Sequence, residues 1–234
     1  MLRPFAKHRV ESRILILFLG VVGGAFVLYK AASEVVEGDT LAFDRAVLLM
    51  LRRAGDPAIP IGPGWLHDWM VQVTALGSGA VLTIVTALAV GYMLAARKPA
   101  LALLTAGAIC SGALLASGLK VVFARTRPDV VEHLVGTHSA SFPSGHAMNS
   151  AVVYLTLAVL LARAETSRPL RIYLISAAIA LTLLVGFSRL YLGVHWPTDV
   201  AAGWIVGGLW AAACSLTAKR LQSNNAVEDA GARK

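Results

Sequence analysis

Three features mark this chain as an all-α protein of six transmembrane helices with both termini cytoplasmic. They are its apolar composition, the length of its charge-free stretches, and the side on which its basic residues gather. Of its 234 residues, 57% are hydrophobic and 15% charged, with a mean hydropathy of +0.69; a soluble domain carries about 25% charged residues. A spanning helix needs about 20 mostly apolar residues. Six stretches meet that need once a few flanking residues are counted: 14–29, 69–96, 99–119, 147–162, 172–187 and 200–218.

Arg3, Lys7, Arg9 and Arg13 precede the first stretch, and Arg97 and Lys98 separate the second from the third. Arg163, Arg168 and Arg171 separate the fourth from the fifth, and Lys219, Arg220, Arg233 and Lys234 follow the sixth. Thirteen of the 21 basic residues thus share one side, which the positive-inside rule makes cytoplasmic. The net charge of +8 therefore reads as a topology signal. Nucleic-acid binding would need Lys and Arg clustered on a soluble face, and no such cluster occurs. The composition also excludes a disordered, collagen-like or disulfide-stapled chain.

The elements follow in order. The first stretch, with basic residues before it and Ala31, Ala32 and Ser33 after it, reads as a helix or alternatively as a signal peptide. About 40 extracytoplasmic residues come next. Within them Leu41–Arg53 is amphipathic, with Phe43, Val47, Met50 and Leu51 opposed by Asp44, Arg45 and Arg52; too short to span, it is expected to lie in the membrane interface. Pro57, Pro60 and Pro63 predict a loop over 56–64, and Trp65 and Trp69 suit interfacial anchors. Cys110 and Cys214 sit in apolar stretches and read as small buried hydrophobes. The membrane domain is expected to cover residues 1–222, with its motif core at about 118–202, followed by a disordered polar tail at 223–234.

Ionisable groups at membrane depth are costly and mark function. Here they fall in three places, all at extracytoplasmic helix ends. Lys120 and Arg127, seven residues apart, are expected to share one helical face; Pro128 follows, and Arg125 lies nearby. That cluster is on the wrong side for a topology signal and suggests an anion site. Pro143-Ser144-Gly145-His146 opens the fourth helix, where free backbone N–H groups and the dipole suit a phosphate. Gly145 lets oxyanions approach the backbone, and His146 stands by as a proton donor. Ser188-Arg189 and His195…Asp199 join the last two helices. Asp199 is the one acidic residue expected at depth; a carboxylate on one imidazole nitrogen leaves the other free as base or nucleophile. Cations, a helix N-terminus and two histidines on one face suit phosphoryl transfer. A zinc site competes, but no Cys pair and no His-x-x-x-His is present.

These residues resemble the signature of the type 2 phosphatidic acid phosphatase family, the membrane branch of a superfamily shared with vanadium haloperoxidases. Its three parts read here as Lys120…Arg127-Pro128, Pro143-Ser144-Gly145-His146 and Ser188-Arg189…His195…Asp199, matching in order and spacing. The resemblance implies a metal-independent phosphatase without a cofactor, acting through a phosphohistidine. It makes His195 the nucleophile and Asp199 the residue that orients it. His146 becomes the acid for the leaving oxygen and then the base for water. Lys120, Arg127, Ser144, Gly145 and Arg189 become the groups that hold phosphate oxygens.

A site at headgroup depth implies a lipid phosphate or diphosphate substrate and the bilayer as partner, with no nucleic acid. The family's candidates are undecaprenyl diphosphate, slightly favoured, phosphatidic acid, phosphatidylglycerophosphate and lipid A phosphates. The expected location is the plasma (inner) membrane, with the site on the extracytoplasmic side. Two other classes use the same residues: a lipid phosphotransferase, and a non-enzymatic lipid-phosphate binding or transport protein. Pure binding would need only the cations, which favours an enzyme.

Overall fold

The structure, a computed structural model, describes Ser33, Gly38 and residues 40–137 and 139–231. The first apolar stretch, and the signal-peptide alternative attached to it, lie outside the described residues. The chain divides into two compact units, residues 1–42 and 43–234. In the first, Leu41 N–H donates to the Gly38 carbonyl at 3.0 Å, a turn that Gly38 makes with φ +96°.

The described elements run α1 (Leu41–Met50), β1 (Arg52–Arg53), β2 (Asp56–Pro60), α2 (Gly64–Ala75), α3 (Gly79–Ala95) and α4 (Pro99–Phe123). They continue through α5 (Gly145–Ser150), a π-helical stretch (Ala151–Leu155), α6 (Thr156–Ala164), α7 (Arg168–Tyr191) and α8 (Pro197–Gly231). Among the described residues, four helices are long and apolar enough to cross a membrane: Pro99–Phe123, Gly145–Arg163, Arg168–Tyr191 and Pro197–Ala218. The pair α2 and α3, bent by 47°, makes a fifth if taken as one span. Apolar side chains point outward along these helices, Val121 at 81% exposure and Leu103 at 75%, as lipid-facing surface requires.

The local chemistry explains the boundaries. Pro99 opens α4 and Pro169 opens α7, where a missing N–H costs nothing. The predicted single helix over 69–96 is broken instead, because Ser78 caps a new start by accepting from Val81 N–H at 3.3 Å. Tyr154 Oη then donates to the Leu76 carbonyl at 2.7 Å, satisfying an acceptor the break exposes. The last helix is assigned through Gly231, past residue 222.

Three expectations about the segment before α2 and about the cysteines need correction. Residues 56–60, expected as loop, pair antiparallel with Arg52–Arg53. On α1 the polar face is not wholly turned to water: Asp44 is buried beside Leu48, while Phe43 and Met50 stay outside at 61% and 68% exposure. An ionic partner explains it, since Asp44 turns toward a buried arginine, and Arg52 after the helix donates to the Tyr191 carbonyl at 3.0 Å. Cys110 is exposed on the outer face of α4 and Cys214 half-buried, so neither is a fully buried hydrophobe.

Helix α8 lies against α5 at close range. A Cβ at Gly203 would lie 2.9 Å from the Ser144 carbonyl, and one at Gly207 2.6 Å from that of Met148. Small residues four apart let two backbones meet in this way, and the contact places the start of α8 beside the start of α5. A second apolar cluster, Leu82, Ile109, Val152 and Val153, ties α3 and α4 to the π-helical stretch.

Candidate active site

The three sequence motifs converge where α4 and α7 end and α5 and α8 begin. α4 stops at Phe123 because Ala124 adopts a left-handed conformation, φ +43°. Arg127 is therefore not on the helix of Lys120, contrary to the expectation of a shared helical face. The strand of chain at Ser139–Ala140 joins them instead. Lys120 Nζ donates to the Ala140 carbonyl at 2.6 Å, and Arg127 Nε donates to the Ser139 carbonyl at 2.8 Å. Arg127 Nη1 also reaches the Val194 carbonyl at 2.5 Å and approaches His195 Nε2 at 3.4 Å.

Ser144 precedes α5, and its Oγ makes no capping bond to that helix. It is fully buried and has no hydrogen-bond partner among the described residues, and neither has Arg189 Nε. Buried polar groups are nearly always paired, so two such donors suit an oxyanion. Arg189, buried in the last turn of α7, is aimed by Thr74, whose Oγ1 accepts from its Nη1 at 3.0 Å. A Cβ at Gly145 would lie 3.3 Å from Lys120 Cε, so the glycine brings the α5 backbone against the lysine. His146 lies within reach of the charges of Arg189, Lys120 and Arg127 and of the His195 ring. The loop at Gly77 packs on it, since a Cβ there would sit 3.2 Å from His146 Cδ2.

His195 follows a turn that only glycine fits. Gly193 has φ +73°, and a Cβ there would lie 2.7 Å from the Glu132 carbonyl. His195 itself is 1% exposed. Its Nδ1 faces Asp199 Oδ2 at 3.5 Å and Ser141 Oγ at 3.4 Å; Nε2 is left toward Arg127. Burial pushes the imidazole down to about 4, with the hydrogen bond and charge of Asp199 acting the other way. His195 is thus neutral, with an unprotonated nitrogen, at ordinary pH. Burial also lowers Arg127 from the usual arginine range, against the attraction of Asp199.

Asp199 sits in the first turn of α8, where the helix dipole favours an anion. Its Oδ2 accepts from Ser141 Oγ and from Trp196 N–H, the latter at 2.9 Å. Its Oδ1 accepts from Arg125 Nη1 at 2.5 Å. Arg125, expected beside the anion site, faces carboxylates instead. Its Nη2 donates to Asp44 Oδ2 at 2.8 Å, and its guanidinium carbon lies 5.5 Å from the Trp196 ring centroid. Asp199 is therefore not the one acid at depth, because Asp44 is equally buried.

All eight predicted site residues meet in this region. Sequence reasoning missed Ser141, Thr74, Asp44 and the true direction of Arg125. Only Ser141, two residues before Pro143, carried a local signal, a hydroxyl abutting a motif. Among the described residues, no three His, Cys, Asp or Glu side chains come together as a metal-binding group.

The sequence profile of the PAP2 superfamily matches residues 98–223. Phosphatidylglycerophosphatase B of Bacillus subtilis is 37% identical over 153 residues, covering 64% of this chain and 74% of that protein. An undecaprenyl-diphosphatase of Sulfolobus acidocaldarius is 39% identical over 67 residues, covering 29% of this chain and 28% of that protein. A solved structure, the first of a transmembrane PAP2-type phosphatidylglycerolphosphate phosphatase from Bacillus subtilis, superposes with a TM-score of 0.74 at 29% identity. The superposition covers 85% of this chain and 96% of that one.

Proposed function

The chain belongs to the PAP2 superfamily and is a lipid phosphatase, and we propose that it cleaves a lipid phosphate or diphosphate at the extracytoplasmic face through a phosphohistidine. The observation that carries this reading is the surround of His195. A neutral imidazole is held from Nδ1 by a buried carboxylate, while Nε2 faces Arg127.

His195 Nε2 attacks phosphorus in line. The N–P bond forms as the bond to the lipid oxygen breaks, and His146, protonated once the bound phosphate's negative charge offsets the cations beside it, delivers a proton to that oxygen. Lys120, Arg127, Arg189, Ser144 and the backbone at Gly145 hold the three equatorial oxygens, where charge accumulates. Asp199 stabilises the positive charge that His195 acquires. The now neutral His146 takes a proton from water, whose oxygen attacks phosphorus. Inorganic phosphate leaves with the N–P electron pair returned to His195.

Arg97 and Lys98, between α3 and α4, Arg163 in the last turn of α6, and Arg168 and Arg171 in the first turn of α7 lie at the helix ends opposite the site. Under the positive-inside rule this supports an extracytoplasmic site in the plasma membrane, six spans and cytoplasmic termini. A lipid could keep its chains in the bilayer while its phosphate meets the cations. Among substrates, phosphatidylglycerophosphate ranks ahead of undecaprenyl diphosphate, because likeness to the phosphatidylglycerophosphatase extends over 74% of that protein and to the undecaprenyl-diphosphatase over 28%.

The test is phosphate release by the detergent-purified protein from a panel of these lipids at equal surface concentration, with EDTA present. Release from at least one lipid is expected, and His195→Ala should lower it by several orders of magnitude. A strict metal requirement overturns the mechanism, near-normal turnover by His195→Ala removes the nucleophile, and transfer of labelled phosphate to a second lipid makes the protein a phosphotransferase.

A further inference from the structure

Asp199 is completely buried and acts on His195 only as a carboxylate, so something must keep it ionised and aimed. Arg125 does the first, through the 2.5 Å bond to Oδ1. To aim the carboxylate, however, Arg125 must itself be held in place.

The structure holds a second carboxylate on the same guanidinium. Asp44 Oδ2 takes Arg125 Nη2 at 2.8 Å, so the two terminal nitrogens of Arg125 are held by two acids. Asp44 also fixes the start of α8. Its Oδ1 accepts from Thr198 N–H at 3.0 Å, one of the N-terminal donors that a helix cannot satisfy itself. Thr198 Oγ1 donates to Asp44 Oδ2 at 2.7 Å and accepts from Arg125 Nη1 at 2.9 Å. The residue next to Asp199 is thereby clamped on both its backbone and its side chain. Asp44 lies on α1, 81 residues before Arg125 in effect of chain length, and outside residues 98–223 that the family profile matches.

We propose that Asp44, through Arg125 and Thr198, is a positioning residue that orients Asp199 toward His195. The inference rests on the phosphatase reading. It makes α1 part of the catalytic apparatus rather than a surface helix.

The experiment compares the full-length wild type, Asp44→Asn, Asp199→Asn and the double variant, each in detergent. Asp44→Asn should lower kcat about 10- to 100-fold, the scale of a small misplacement of a reacting group. KM should change less than about threefold, because the phosphate cradle is untouched, and Asp44→Glu should recover part of the loss. In the Asp199→Asn background the Asp44→Asn effect should largely vanish, since residues acting as a unit are non-additive. Thr198→Val, which removes only the bridging hydroxyl, serves in the same cycle if Asp44→Asn does not fold.

A readout free of turnover is orthovanadate binding by thermal shift, because a transition-state mimic needs an oriented His195 while inorganic phosphate needs only the cations. Asp44→Asn should weaken vanadate about tenfold more than phosphate. Equal kcat to wild type, or full additivity with Asp199→Asn, overturns the inference and leaves the phosphatase reading intact. A wild type that neither releases phosphate nor binds vanadate overturns both.

Discussion

His195 illustrates how a side chain's enclosure sets its chemistry. Its imidazole is 1% exposed, and burial depresses its pKa to about 4 against an ordinary 6.5. The proposed role as nucleophile needs an unprotonated ring, and the depression keeps that form dominant. The ring carbon resonance of His195, assigned by comparison with His195→Gln, should therefore show no titration from about pH 8 to about pH 5. A midpoint near 6.5 would contradict the enclosure. The sign for stability follows: the unfolded chain binds this proton more readily, so stability falls as pH drops below 6.5 toward 4. Single residues also mark the limit of reading from sequence. Arg125 and Arg127 stand two positions apart in one motif, yet one binds two carboxylates and the other lies beside His195 Nε2. No local property separates them; the partners that the fold brings to each do.

Among elements, α5 and α8 are the most closely coupled, and their coupling sets the distance between the phosphate-binding turn and Asp199. Ser144 N–H donates to the Asp199 carbonyl at 3.0 Å, and Gly203 and Gly207 keep the two helices that near below this point. Gly207→Ile should push them apart, because its Cβ would already lie 2.6 Å from the Met148 carbonyl. A destabilisation of about 1–3 kcal/mol is expected from overpacking, seen as a lowered midpoint in a detergent melt, together with reduced phosphate release. An unchanged melt would show that this contact carries little. The spans α4 to α8 were legible from apolar length, but the end of α4 was not, because Ala124 rather than Pro128 stops it. The break between α2 and α3 was not, since Gly77-Ser78 inside an apolar run is also tolerated in a continuous helix. The burial of Asp44 on α1 was missed for a different reason. Amphipathic periodicity assumes that charges seek water, and Asp44 has an arginine to seek instead.

For the molecule as a whole, sidedness is the property with the widest consequences, because it decides which leaflet delivers the substrate. A Thr137→Cys variant, in a background with Cys110 and Cys214 replaced by alanine, should react with an impermeant thiol reagent on intact cells. Labelling only after lysis would invert the proposed orientation. The sequence by itself determined the membrane class, the apolar spans from α4 onward and the eight residues that the fold brings together at the candidate site. Each of these rests on local spacing: about 20 apolar residues make a span, and short motifs fix which groups sit at a helix end. Only the tertiary structure decided which charges pair. Asp44 meets Arg125 across 81 positions and Thr74 meets Arg189 across 115. In a buried site an ion or donor is stable only against a partner, and that partner is chosen by proximity in space, at any distance along the chain.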